Sequence, residues 1–245
     1  MKAFAPLALV ALVGACSVDQ PSAPLTSDIA PAADISAGSV YSYDVTITNL
    51  TTGQPMSPAI IITHGPRVSL FAGGRPASQG IKEIAEDGNP ATAHAMLSGA
   101  RGVFEAVATG APIHRIGGPG PNVLTARISG DREKRFLSLA TMLICSNDGF
   151  AGVSGVALPT SATPVTAYAY AYDAGTERNT EADGDIVPPC FGIGPTTGTG
   201  GGGHVGEQLN VRMHPGFDGP RALSPKLHGW SGPVAMVSIQ LVPAS

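Results

Sequence analysis

Residues 41–49 read YSYDVTITN, and their alternation decides the fold class. Tyr43, Val45 and Ile47 fall on one face while Asp44, Thr46 and Thr48 fall on the other, a period of two that only a half-buried β-strand satisfies. Downstream, apolar or alternating runs recur at 59–63 (AIIIT), 103–109 (VFEAVAT), 122–129 (NVLTARIS), 136–145 (FLSLATMLIC), 152–159 (GVSGVALP), 163–172 (TPVTAYAYAY), 209–214 (LNVRMH) and 234–242 (VAMVSIQLV). Gly, Pro, Asn and Asp separate them, and no βαβ alternation intervenes, so the expectation is an all-β, antiparallel, eight-stranded β-sandwich with one or two short helices. The helical exception is SQGIKEIAEDGNPATAHAML, residues 78–97. Ile81, Ile84 and Ala85 recur at helical spacing, Ser78 can cap and Gly88 can stop a first helix, and Asn89-Pro90 fits the N-cap and first position of a second.

Composition agrees with a turn-rich β protein. Only 13% of residues are charged, while glycines number 32 and prolines 22, so turns are many and charged helices few. The formal net charge of −4 argues against nucleic acid, whose phosphates require clustered Lys and Arg. The densest charge run, Asp131-Arg132-Glu133-Lys134-Arg135, mixes signs and reads as a solvated turn.

The first residues, MKAFAPLALVALVGAC, combine a Lys, an apolar run too short to span a bilayer and small residues before Cys16, the pattern of an export signal over 1–15. Small residues followed at once by Cys resemble the lipobox of bacterial lipoproteins, which implies acylation of Cys16 and a membrane-anchored domain facing the periplasm or the cell surface. Residues 16–39, rich in Ser, Ala, Pro and Asp, read as a flexible tether, and 40–245 as a single domain. In an oxidising compartment Cys145 and Cys190 form either a disulfide, worth roughly 4 kcal/mol in the chain-entropy description, or two separately buried thiols. Residues 191–206, FGIGPTTGTGGGGHVG, read as a mobile low-complexity loop.

Four ordered stretches carry a family likeness: YDVTITNLTTGQPMSPAIIITH, LFAGGRPASQGIKEIAEDGN, SLATMLICSNDGFAGVSGVALP and YDAGTERN. Together they resemble the spondin N-terminal domain, the module of F-spondin and mindin that also occurs as a stand-alone unit in bacterial secreted proteins. The resemblance implies an eight-stranded sandwich that holds one calcium ion. Carried over by motif position, the metal ligands are Asp148 in SNDGF and Asp173 with Glu177 in DAGTE, where Glu177 replaces the family's Asp.

Three carboxylates with carbonyls and water suit a weak extracellular calcium site, and left together unpaired they would repel, so a cation or arginine belongs nearby, with Arg178 as the competitor. Without the likeness, Asn-Asp-Gly and Asp-Ala-Gly are ordinary turns. The expected function is a calcium-binding adhesion or recognition module, not an enzyme, whose partner is an unknown extracellular protein or carbohydrate. The alternatives are a secreted hydrolase using Asp148, Asp173 and Glu177, or a structural envelope component.

Other signals are weaker. Tyr168, Tyr170 and Tyr172 share a strand face and read as core or cross-strand pairs before they read as a sugar or peptide platform. Gly198, Gly200 and Gly203 match G-x-G-x-x-G without a βαβ unit, Ser154 lacks a nucleophile-elbow context, and the six histidines show no paired spacing.

Overall fold

A computed structural model describes residues 39–188, 190, 193, 204–219 and 221–243. The export signal, Cys16, the tether up to residue 38 and Gly198, Gly200 and Gly203 lie outside the described residues, as does most of the low-complexity loop. Among the described residues no helix is long and apolar enough to cross a membrane.

Among the described residues nine strands form the framework: β1 (Tyr41–Asn49), β2 (Ile60–His64), β3 (Val103–Ala108), β4 (Val123–Gly130), β5 (Phe136–Met142), β6 (Gly149–Ala157), β7 (Val165–Asp173), β8 (Arg212–Met213) and β9 (Ala235–Leu241). The hydrogen-bonded order is β3-β2-β5-β6-β7-β9-β1-β4, with β8 added on β7, and every pairing is antiparallel. Strand β7 joins the two halves. Its residues 165–169 pair with β9 while 170–173 pair with β6, so one strand passes from one layer into the other. The layers are therefore one continuous, nearly barrel-shaped sheet. Where β3 and β4 end the path, the Ser129 N–H donates to Glu105 Oε2 at 2.5 Å and the Thr63 hydroxyl to Ser129 O at 2.5 Å, so side chains bridge edges that backbone ladders leave unpaired.

The alternation in β1 follows the pleat: Tyr43, Val45 and Ile47 are buried, facing Ile61, Leu137, Leu139, Val237 and Ile239 in the core between the layers. In β2 all five residues are buried. Its two faces meet different partners, for Ile61 enters the central core while Ile60 and Ile62 lie in a second cluster beneath helices α1 (Gln79–Asp87) and α2 (Ala91–Leu97). That second layer explains an apolar run where a half-solvated strand would alternate.

Helix α1 starts where the Ser78 hydroxyl accepts the Ile81 N–H and ends at Gly88, φ +65°. There the Gly88 N–H reaches Ile84 O and the Asn89 N–H reaches Glu83 O, a Schellman closure that needs the left-handed residue. Helix α2 begins one residue later than the Asn89-Pro90 pattern suggests, although the Asn89 side chain still accepts the Ala91 N–H at 3.0 Å. A third helix, α3 (Pro225–His228), capped by the Ser224 hydroxyl, escaped the sequence reading because one turn offers no periodicity.

The tyrosine face is corrected by burial. Ala169 and Ala171 turn inward, Tyr168 and Tyr170 are exposed, and Tyr172 packs on Phe71 and Phe150 at 4.9 and 5.4 Å. Ala169 and Ala171 thus join the central core, Tyr172 packs against the second cluster, and Tyr168 and Tyr170 face outward.

Candidate metal centre

The first acidic motif lies in the β5–β6 connection. The Leu143 N–H donates to Gly149 O, and the Ser146 hydroxyl accepts from the Gly149 N–H while donating to Leu143 O. These bonds close the loop tightly and turn the Asp148 side chain inward, to full burial. The second motif follows β7. The Asp173 carboxylate accepts the Gly175 N–H at 2.8 Å, an Asx-turn, and Gly175 takes φ +72°. A Cβ at Gly175 would stand 2.7 Å from the Leu209 carbonyl carbon, so a side chain is excluded by both conformation and space.

The two motifs are laced together. Asp148 Oδ2 accepts the N–H groups of Thr176 at 2.7 Å and Glu177 at 3.0 Å, and the Ala174 N–H donates to Asp148 O. One residue earlier, the Asn147 side chain bonds Thr180 and the Glu181 N–H. Asp148, Asp173 and Glu177 are thus brought to one buried locus, at 0%, 0% and 1% exposure.

Their remaining oxygens differ. Asp173 Oδ2 is taken by Asn179 at 2.8 Å and by the Arg212 guanidinium at 3.0 Å. The expected arginine is therefore Arg212, carried on β8, and not Arg178, whose side chain is exposed; chain neighbourhood suggested the wrong one, and strand pairing of Asp173 with Arg212 supplies the right one. Glu177 Oε1 pairs with His204 Nδ1. Asp148 Oδ1 and Glu177 Oε2 have no hydrogen-bond partner among the described residues, although both are buried. A buried carboxylate oxygen without a partner is costly unless a proton or a cation meets it, yet Asp148, Asp173 and Glu177 together are not among the groups of three potential ligands whose atoms lie within 4.8 Å of one another among the described residues.

The electrostatics carry the same strain. Burial, reinforced by the Asp173 carboxylate, pushes Asp148 up to about 6 against two opposing backbone hydrogen bonds. Burial likewise pushes Glu177 up to about 7, with Glu86 and Asp148 adding to it and His204 opposing. For His204, burial works downward and is outweighed by Glu177, Asp87 and Glu86, which draw its pKa up.

Sequence reasoning missed Glu86 and His204. Glu86 sits in the last turn of α1, 5% exposed, 3.7 Å from Lys82, with Oε1 unbonded. His204 reaches Glu177 because the segment 205–209 runs beside the turn: the Arg178 N–H donates to Val205 O, the Glu207 N–H to Thr176 O and the Leu209 N–H to Gly175 O. Glu86 was quoted only as part of a helix end, and no local spacing could mark a contact with a residue far downstream.

Below the site, Cys145 and Cys190 are joined by a disulfide with Cα atoms 5.2 Å apart. It packs with Met142, Ile144, Ile186 and Leu223 in a third apolar cluster and ties the β5–β6 connection to the chain that follows the acidic turn. His214, on the other side of Gly149, is buried against Phe217 and Trp230, and burial lowers it to about 4.

No curated protein matches the chain. The sequence model of the spondin N-terminal domain (Spondin_N) matches residues 49–182, a span that opens at the end of β1 and closes just after the acidic turn. More than half of the chain, including both acidic motifs and the α1 segment, lies inside that match, and the chain belongs to the spondin N-terminal domain family.

Proposed function

We propose that this chain is a lipid-anchored, extracellular or periplasmic recognition module in which one calcium ion, held by Asp148, Asp173 and Glu177, orders the loops at one end of the sandwich. Family membership supports the coarser part, a secreted recognition or adhesion-type domain. The observation that carries the calcium reading is the pair of buried, unbonded oxygens, Asp148 Oδ1 and Glu177 Oε2, because hard oxygen donors gathered from two loops are what calcium takes. Asp173 is shared with Arg212, so ion and guanidinium compete for it and the affinity is modest. Recognition falls to the loops that the ion orders and to Tyr168 and Tyr170, exposed on β7. Burial of all three acids favours this reading over a hydrolase, whose acid and base must touch substrate. Acylated Cys16 supplies the anchor in this reading.

The test is a thermal melt of the full chain titrated with calcium and then with chelator. Binding to the folded state alone raises stability by about 2.7 kcal/mol at a hundredfold excess over the dissociation constant, and the rise disappears in Asp148→Asn and Asp173→Asn. Melting curves that coincide in calcium and chelator would return the three acids to turn duty.

A further inference from the structure

Glu86, Glu177 and His204 converge from three separate places: the last turn of α1, the turn after β7 and the segment that runs beside that turn. One carboxylate oxygen from each glutamate and one ring nitrogen of His204 lie within 4.8 Å of one another. The two glutamates are 5% and 1% exposed; Glu177 Oε2 is buried without a hydrogen bond, and Glu86 Oε1, also without one, has Lys82 Nζ at 3.7 Å. His204 is the exposed member, and its other ring nitrogen stands 3.5 Å from Asp87 Oδ1.

Ion pairs with Lys82 and His204 answer part of this arrangement and leave Glu177 Oε2 without a partner. Glu86, Asp87 and Glu177 place three acids around one imidazole, and among the described residues the fixed cation paired there is Lys82, its Nζ 3.7 Å from Glu86 Oε1 and its side chain 42% exposed. A buried carboxylate oxygen left without a partner is costly and is retained where something fills it. The donor set names the class of ion: imidazole nitrogen with carboxylates suits zinc and its first-row neighbours, whereas calcium takes oxygen throughout. Three protein ligands leave a position for water or for a group from outside, and His204 is the solvent-exposed member of the group.

We propose a second metal centre, for a zinc-type divalent ion, built from Glu86, Glu177 and His204, with Asp87 holding the far nitrogen of the imidazole. The ion clips the segment around His204 onto helix α1. The two centres share Glu177, whereas Glu86 and His204 belong to this one alone and Asp148 and Asp173 to the other, so variants at those four positions separate them.

The experiment uses the full chain, disulfide intact, stripped with chelator and titrated separately with zinc chloride and calcium chloride, reading heat of binding and melting temperature. The expected result is one saturable zinc equivalent that raises the melting temperature and loses at least about tenfold in affinity in His204→Ala and in Glu86→Gln. Far-UV circular dichroism and the chelator-state melt of each variant check that it folds, and His204→Gln serves if His204→Ala does not. Absence of a saturable zinc response in the wild type, or one unchanged in both His204→Ala and Glu86→Gln, overturns the proposal. A protein that answers to zinc but not to calcium keeps this centre and loses the other.

Discussion

Asp148 concentrates the energetics of the site in one side chain. Its carboxyl holds its proton up to about pH 6 in the folded protein against an ordinary 3.8, so the folded state binds the proton more tightly than the unfolded chain does. Stability from this group is therefore full below about pH 4 and falls as pH rises through 6, by about 3 kcal/mol for a shift of that size. His214, lowered to about 4 by burial, works in the opposite sense between pH 4 and 6.5, so the informative quantity is a difference between proteins. In chelator, the stability of Asp148→Asn relative to wild type is expected to improve between pH 4 and pH 8, as measured by urea unfolding across that range; a difference that stays flat would show that Asp148 carries no such penalty. Arg212 makes the complementary case. Its guanidinium holds Asp173 Oδ2 at 3.0 Å, and Arg212→Ala removes a competing positive charge, so calcium is expected to bind severalfold more tightly by calorimetry. Weaker binding would mean that Arg212 positions Asp173 rather than competes for it.

The turn after β7 and the two ends of α1 show why these elements sit where they do. Gly175 has φ +72° and no room for a Cβ beside Leu209. Gly175→Ala is expected to destabilise by roughly 2–4 kcal/mol in denaturant unfolding, and to weaken the response to calcium because Asp173 and Glu177 flank the strained residue. Ser78→Ala removes one cap bond from α1 at a cost of about 1 kcal/mol. The same change leaves the calcium response intact, since Asp148, Asp173 and Glu177 lie on other segments. Both helix ends were legible in the chain because capping is local: a Ser before an apolar period and a Gly after it. The start of α2 shifted by one residue because Pro90 has helical backbone angles, φ −82° and ψ −3°, yet stands as the cap. The single-turn α3 was not legible because four residues are too few to show a period.

Taken together, the layers depend on contacts between distant segments. The Cys145–Cys190 disulfide spans a sequence separation of 45, and its reduction is expected to cost roughly 4 kcal/mol in the chain-entropy description, read as a lowered melting temperature in reductant and absent for Cys145→Ala in either state. Because the bridge holds the β5–β6 connection against the segment after the acidic turn, reduction should also weaken calcium binding. Closure of the sheet is a property of the same order. Strand β7 changes partner halfway, from β9 to β6, and side chains of Glu105 and Thr63 bridge the edge to β4.

Strand identity, the two helices over 78–97 and the family were readable from periodicity, capping residues and ordered motifs, since each of these is written in neighbours a few positions apart. Asp148, Asp173 and Glu177 were singled out through the family likeness alone, since Asn-Asp-Gly and Asp-Ala-Gly by themselves read as ordinary turns. The arginine on Asp173, the glutamate and histidine beside Glu177, the inward alanines of β7 and the merging of two layers into one sheet were decided only by tertiary structure. Each depends on which distant segment packs alongside, and hydrophobic periodicity says that a face is buried without saying against what.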